Sequence, residues 1–184
     1  MNFNKHFDLE GRHAFLSASK YHWLNYDEDK LAAVYESQQA KTRGTLLHQF
    51  ACDAITFGVP LQDNGDTISM YVNDCINDAM KPEVVLYYSI NAFGTADAIS
   101  FEDGVLRIYD LKTGKTPASV KQLEIYAAYF CLEYQVNPND ISMHLRIYQN
   151  GEITIHDPEP EVIWEVMDRI IVFDSIIRSI SKGH

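Results

Sequence analysis

Apolar and polar residues recur along the chain with two different periods. Before residue 80 the period is that of an amphipathic helix, which predicts weak helical structure at 29–40 and a clearer helix at 45–57 that Gly58 and Pro60 end. Another helix begins at Asp66-Thr67, where Asp66 or Thr67 can cap it. The first part of the chain is therefore predicted to be helical.

The period then shortens to two residues, which is typical of strands. Strands are predicted at 83–90, 95–101 and 105–112, and again at 141–148 and 152–155. Two-residue turns at Asp103-Gly104 and Asn150-Gly151 join neighbouring strands, because these residue types adopt positive φ readily. A helix at 117–135, with Thr116 as its cap, and a final helix at 160–181 complete the pattern. The order predicts an α/β fold with a mixed central sheet flanked by helices.

Composition is that of an ordinary globular domain. The 184 residues are 46% hydrophobic, and we expect one domain: an N-terminal helical segment at 1–44, a core at 45–157 and a C-terminal helix at 158–184. No run of ~18 apolar residues occurs, and residues 1–10 lack the apolar stretch of a signal peptide, so a cytoplasmic protein is expected. The three cysteines are far apart and predict neither a disulfide framework nor a metal cluster.

The first hairpin brings acidic residues together. If Asp103 and Gly104 form a two-residue loop, opposed residues have numbers that sum to 207, and Asp97 faces Asp110. Lys112 projects from the same face as Asp110. Opposed carboxylates repel unless one takes up a proton or a cation bridges them, and a divalent cation with oxygen ligands would do so. The alternative is a surface hairpin whose Asp and Lys residues form exposed ion pairs.

Other polar residues lie close to this site in the predicted fold. Gln122 and Tyr126 are four residues apart and share a face of the helix that follows the hairpin. Tyr126 also fits an apolar core stripe, and His48, at the border of an apolar helix face, is also typical of a core or boundary residue. Alone, neither residue indicates a site.

Four short segments occur in a specific order: Gly44-Thr45-Leu46-Leu47-His48, Gly94-Thr95-Ala96-Asp97, 109–115 (YDLKTGK), and 122–126 (QLEIY). Together they resemble the motifs of RecB-like nucleases of the PD-(D/E)XK superfamily, which include viral recombination exonucleases and nucleases of CRISPR adaptation. Glu83 also occupies a position where such proteins often carry an acidic residue. The resemblance covers about His48 to Tyr126 and implies a restriction-endonuclease-like core.

The resemblance also implies roles for individual residues. His48, Asp97 and Asp110 would bind Mg²⁺ or Mn²⁺, with the Leu111 carbonyl as a further ligand. Lys112 would position or activate the water, and Gln122 and Tyr126 would orient Lys112 or contact DNA. The implied activity is phosphodiester hydrolysis in DNA, by an exonuclease of recombination, repair or phage replication. Imidazole among the ligands favours Mn²⁺.

For DNA contact the candidates are the basic residues near the motifs: Lys41, Arg43, Lys115 and Lys121. Because the net charge is −11, we expect these contacts to be local, with single strands or duplex ends preferred. No membrane partner is expected, whereas a second copy or a recombination or replication protein is compatible with the resemblance. The chain departs from many relatives in having no four-cysteine iron–sulfur site and no room for a helicase.

Two functions of other classes compete with the nuclease. One is a catalytically silent module that binds nucleic acid or protein on the same fold, which would bind without metal-dependent turnover. The other is an acidic mimic of DNA, which would need carboxylates in a regular surface array. The complete Asp97, Asp110 and Lys112 set favours the nuclease over both.

Overall fold

The computed structural model describes residues 5–182, so residues 1–4 and 183–184 of the predicted terminal segments lie outside the described part. The chain divides into two compact units between Arg43 and Gly44, within the first α-helix. The α-helices are α1 (Glu28–Phe57), α2 (Thr67–Asn77), α3 (Lys121–Tyr134) and α4 (Pro160–Lys182). The strands are β1 (Lys81–Ser89), β2 (Ala92–Glu102), β3 (Val105–Lys112), β4 (Ser142–Gln149) and β5 (Glu152–His156).

The N-terminal unit is built from short elements. Two 3-10 helices, Phe7–Leu9 and Ala18–Asn25, precede the first half of α1. The Trp23 indole donates to the Ser17 carbonyl at 3.0 Å, and the rings of Phe15 and Tyr35 meet edge to face with centroids 5.1 Å apart. None of the described side chains before Gly44 is buried, so this unit has local contacts rather than a core of its own.

The second unit contains a five-stranded sheet in the order β1-β2-β3-β4-β5. Neighbouring strands are antiparallel except β3 and β4, which are parallel. A parallel pair cannot be joined by a tight turn, and α3 lies in the crossover between these two strands. The predicted mixed α/β architecture is therefore confirmed.

Helices cover both faces of the sheet, and a separate apolar core fills each side. One core combines α3 and α4 with the strands, through Leu123, Ala127, Ile163, Met167 and Leu145. The other combines the second half of α1 and α2 with the strands, through Ala51, Ala54, Val72, Cys75 and Tyr148. The sheet is thus covered by an apolar core on each side.

Local signals explain several element boundaries. Asp66 caps α2 by accepting a hydrogen bond from the Ser69 amide at 2.8 Å, as its position predicts. The turns at Asp103-Gly104 and Asn150-Gly151 have positive φ at both residues, which matches the twist of the strands they join. Both predicted hairpins are confirmed.

Other boundaries differ from those predicted. Helix α1 is continuous from Glu28 to Phe57 instead of two segments, because the glycine at position 44 is tolerated inside a helix where it packs closely. Helix α3 begins at Lys121, not 117, and its N-cap is Val120, whose side chain makes no capping bond. Strands β1 and β2 each extend two to three residues beyond the predicted start.

All three cysteines lie in helices and carry free thiols; Cys75 and Cys131 are buried and Cys52 is half-buried. They therefore act as small core or boundary residues. Among residues 5–182, no helix combines the length and apolar character that crossing a membrane requires.

Candidate metal centre

His48 reaches the sheet from helix α1. It lies one turn after the buried Gly44, on the same side of the helix. A Cβ atom at Gly44 would lie 2.8 Å from Oγ1 of Thr113, just beyond β3, which is closer than side chains tolerate. The glycine therefore lets α1 approach the end of β3 and brings His48 to the strand ends.

Strands β1 and β2 supply two carboxylates opposite each other. The pairs Pro82–Ala98 and Val84–Ala96 bracket Glu83, so its partner in register is Asp97. Glu83 has φ of 52°, a left-handed conformation that costs a non-glycine residue about 1–2 kcal/mol. Strain of this kind is typical of functional sites, where other contacts compensate for it.

His48, Glu83 and Asp97 form a cluster of potential metal ligands, which we call the ligand cluster. One donor atom from each lies within 4.8 Å of the other two. Nδ1 of His48 is 3.5 Å from Oδ2 of Asp97, and that oxygen accepts a hydrogen bond from the Leu111 amide at 2.9 Å. One nitrogen and two carboxylates suit Mn²⁺, and the carboxylates also suit Mg²⁺.

Asp97 has an unusual protonation equilibrium. Burial, the larger cause, and the negative charge of Asp110 together raise the pKa of its carboxyl group to about 6. The Leu111 amide, His48 and Lys112 act in the opposite direction but do not compensate fully. A divalent cation would favour the ionised carboxylate and remove this electrostatic penalty.

Next to the ligand cluster, four side chains are joined by hydrogen bonds; we call them the lysine chain. Nζ of Lys112 donates to Oδ1 of Asp110 and to Oε1 of Gln122, both at 3.0 Å. The Gln122 amide nitrogen in turn donates to the Tyr126 hydroxyl at 3.0 Å. The last two residues share a face of α3, as predicted, and α3 thereby fixes the position of an ammonium group that β3 supplies.

Asp110 is almost completely enclosed, with 2% of its surface exposed. Its Oδ2 lies 2.9 Å from the Lys112 ammonium but makes no hydrogen bond within the described part of the chain. A buried carboxylate is costly without a partner, and the Lys112 ammonium supplies the compensating charge.

A second glycine shapes the lysine chain. A Cβ atom at Gly94 would lie 2.9 Å from Cε1 of Tyr126. The ring can therefore pack against β2 only because this position lacks a side chain. Burial also raises the pKa of the Tyr126 hydroxyl, so it stays protonated and can accept the Gln122 bond while retaining its own proton.

The hairpin register agrees with the predicted sum of 207 over five pairs, from Glu102–Val105 to Ala98–Tyr109. The ladder ends there, one pair before Asp97 and Asp110. The Leu111 amide instead turns to the Asp97 side chain, which replaces a backbone acceptor. Asp97 and Asp110 are therefore not a ladder pair, although the negative charge of Asp110 contributes to the raised pKa of Asp97.

The structure groups the predicted site residues differently from the predicted ligand set. That set contains His48, Asp97, Asp110 and Leu111, whereas the ligand cluster contains Glu83 in addition to His48 and Asp97. Asp110 instead contacts Lys112, and the Leu111 amide donates a hydrogen bond to Asp97. Glu83 was not among the predicted ligands, because its only signal was an acidic residue at the start of the first predicted strand.

The predicted DNA-contacting residues are all exposed. Lys41 and Arg43 lie on α1 in the N-terminal unit, and Lys115 lies in the loop after β3. Lys121 starts α3 beside Gln122, and its ammonium lies 2.8 Å from the buried Glu124 carboxylate. Glu124 also contacts His156 of β5 at 3.0 Å, which ties the start of α3 to the sheet edge.

No protein-family model matches the chain, and no curated protein matches it. Among solved structures, the chain is similar to one described as the crystal structure of SSO0001. The similarity has a TM-score of 0.38 and 13% sequence identity, over 83% of this chain and 68% of that one.

Proposed function

We propose that this protein is a divalent-metal-dependent deoxyribonuclease whose sheet and helices form a restriction-endonuclease-like core. The observation that supports the proposal best is the ligand cluster of His48, Glu83 and Asp97 beside the buried Asp110–Lys112 ion pair. A cation site next to a fixed ammonium group is suited to phosphate chemistry, because both groups stabilise negative charge on phosphate oxygens.

The residues fit Mg²⁺ or Mn²⁺. Two carboxylates and an imidazole provide the ligands, and the raised pKa of Asp97 supports a cation here, because a cation would favour the ionised carboxylate. When bound, such an ion polarises a phosphate and lowers the pKa of a coordinated water. Leu111 fixes the Asp97 carboxylate from the other side through its amide.

Lys112 is held so that part of its ammonium group stays available. A lysine ammonium has three N–H donors, and the bonds to Asp110 and Gln122 use two of them. The third can donate to a phosphate oxygen or to the attacking water. The side-chain amide of Gln122 cannot flip without losing a hydrogen bond, because its oxygen accepts from Lys112 and its nitrogen donates to Tyr126. Positioning of this kind lowers the entropic cost of the reaction.

DNA is the proposed substrate, with single strands or duplex ends favoured over continuous duplex. The net charge of −11 is unfavourable for a broad contact with a polyanion, so binding would use local cations such as Lys115 and Lys121.

The test is cleavage of end-labelled linear and closed circular DNA, single- and double-stranded, with Mg²⁺, Mn²⁺ or EDTA. We expect cleavage only with metal, and degradation of linear substrates alone would identify an exonuclease. Asp110→Asn should reduce the rate by roughly 10²–10³-fold, because Lys112 loses its charged partner and the site loses an anion.

Asp103→Asn is the matched control. It makes the same chemical change in the exposed turn of the β2–β3 hairpin, where asparagine also tolerates positive φ. Its rate should equal that of the parent. Parental activity in Asp110→Asn would refute the assignment, whereas binding of DNA without metal-dependent turnover in the parent would favour the silent binding module.

A further inference from the structure

Helices α3 and α4 line a groove. Its volume of about 450 Å³ lies within the range of ligand-binding clefts. Each helix contributes residues at a spacing of four, which places them on one face. These are Lys121, Ile125 and Tyr129 of α3, and Glu165, Arg169 and Phe173 of α4.

Two aromatic rings line this α3–α4 groove. Phe173 is 54% exposed, and Tyr129 is half-buried. The guanidinium group of Arg169 lies over the Phe173 ring, 6.0 Å from its centroid. Exposed rings next to cations are the elements that proteins use to bind single-stranded nucleic acid, in which bases stack on rings and phosphates contact the charges.

The charged side chains of the groove differ in how exposed they are and in whether they are already paired. The Lys121 ammonium is bound to Glu124 but its side chain is 70% exposed. Arg169 is exposed and forms no ion pair among residues 5–182. Glu165 is the exposed acid of the groove and should repel a phosphate. Two cations, Arg169 and Lys121, therefore line the groove together with two carboxylates, Glu165 and Glu124, and Arg169 is the cation that no carboxylate in the described part of the chain neutralises.

One end of the groove lies at Lys121, at the start of α3. Lys121 is adjacent in sequence to Gln122, which binds Lys112. From there the α3 side of the groove runs about 12 Å to Tyr129 at the rise of an α-helix, the length of roughly three stacked nucleotides at ~3.4 Å each.

We infer that this groove binds the single-stranded part of a DNA substrate, an inference that rests on the proposed function. Bases stack on Phe173 and Tyr129, and phosphates contact Arg169 and Lys121. In a duplex the faces of the bases are covered by their neighbours, so the rings have nothing to stack on. The groove therefore selects unpaired DNA.

The test measures binding without turnover. A fluorescein-labelled oligo(dT) is titrated with the parent protein in EDTA and followed by anisotropy, beside an abasic oligomer with the same phosphates and a duplex of the same length. Phe173→Ala should weaken binding of oligo(dT) about tenfold and leave binding of the abasic oligomer unchanged. Arg169→Gln should weaken binding of both and lower the salt slope by about 0.7. Glu165→Gln should strengthen both.

Phe101→Ala is the matched control, because Phe101 is an aromatic residue of similar exposure, 44%, at the opposite end of β2. It should bind oligo(dT) like the parent. Equal loss in Phe101→Ala and Phe173→Ala, unchanged binding by Phe173→Ala, or duplex bound as tightly as oligo(dT) would each overturn the inference. If the parent cleaves DNA with metal but Phe173→Ala binds oligo(dT) like the parent, the groove proposal is wrong and the nuclease proposal stands. If Phe173→Ala loses binding of oligo(dT) selectively but the parent does not cleave DNA, the groove proposal stands and the nuclease proposal is wrong.

Discussion

Removing the charge of Asp97 should stabilise the metal-free protein, although it destroys the proposed metal site. The folded protein holds this carboxyl group away from water and close to Asp110, and both effects raise its pKa to about 6. The Asp97→Asn variant keeps an oxygen that can accept the Leu111 amide but carries no charge. The penalty for an ionised side chain therefore disappears.

The magnitude and its pH dependence follow from the pKa shift. The folded value of about 6 is some two units above the ordinary value of 3.8, and each unit corresponds to ~1.4 kcal/mol, about 3 kcal/mol in all. Because the pKa is raised, the folded state binds the proton more tightly, and stability falls as pH rises from about 4 to about 6. A neutral hydrogen bond to Leu111 is weaker than a charged one by about 1 kcal/mol, which leaves a net gain of roughly 2 kcal/mol above pH 7.

Urea denaturation in EDTA measures this gain. At pH 7.5 Asp97→Asn should be more stable than the parent by about 2 kcal/mol, equivalent to roughly 4–8 °C in Tm for a chain of this size. At pH 4 it should be no more stable than the parent, and Mn²⁺ should stabilise the parent alone. A variant that is less stable than the parent by the same amount at both pH values would refute the reasoning.

Three further substitutions test other contacts. Lys112→Met should cost about 3 kcal/mol in the free energy of unfolding, because it leaves the buried Asp110 unpaired, and Lys112→Met combined with Asp110→Asn should recover most of the loss in the same denaturation experiment. Gly94→Ala should cost about 1–3 kcal/mol by forcing the Tyr126 ring aside, whereas Gly94→Ala with Tyr126→Ala should cost no more than Tyr126→Ala alone. Glu83→Gln should weaken Mn²⁺ binding at least tenfold in calorimetry; unchanged affinity would remove this residue from the ligand cluster.

Local turn chemistry made much of the sheet predictable. The Asp103-Gly104 turn determines the register of β2 against β3, and five pairs follow from it by simple counting. The ladder of backbone pairs ends before Asp97, whose side chain, instead of a backbone carbonyl, accepts the hydrogen bond from the Leu111 amide. The sequence pattern does not predict that a side-chain carboxylate replaces a backbone carbonyl as the acceptor.

Glu83 shows a second limit. A two-residue turn at Ile90-Asn91 begins the register with Ser89 opposite Ala92, which by counting would place Val84 opposite Asp97. An irregularity between Tyr87 and Ser89 shifts the pairing by one residue and brings Glu83 to that position instead. A bulge shifts every pair between it and the far end of the strand, and no residue type in this strand predicts the bulge.

The glycines of the motifs acquire a physical role only in three dimensions. A Cβ atom at Gly44 would lie 2.8 Å from the Thr113 side chain, and one at Gly94 would lie 2.9 Å from the Tyr126 ring. Sequence alone favours glycine at turns or helix ends, and neither residue is in a turn. Their function is to let the elements that carry His48 and Tyr126 approach the strands.

The proposed activity requires a divalent cation bound by His48, Glu83 and Asp97 next to Lys112. Crystals soaked in Mn²⁺ and measured at the manganese absorption edge would locate it directly. We expect an anomalous peak about 2.0–2.4 Å from the His48 imidazole and from both carboxylates, and its loss in Asp97→Asn crystals. A Mn²⁺ peak elsewhere with none between these three side chains would contradict the proposed active site.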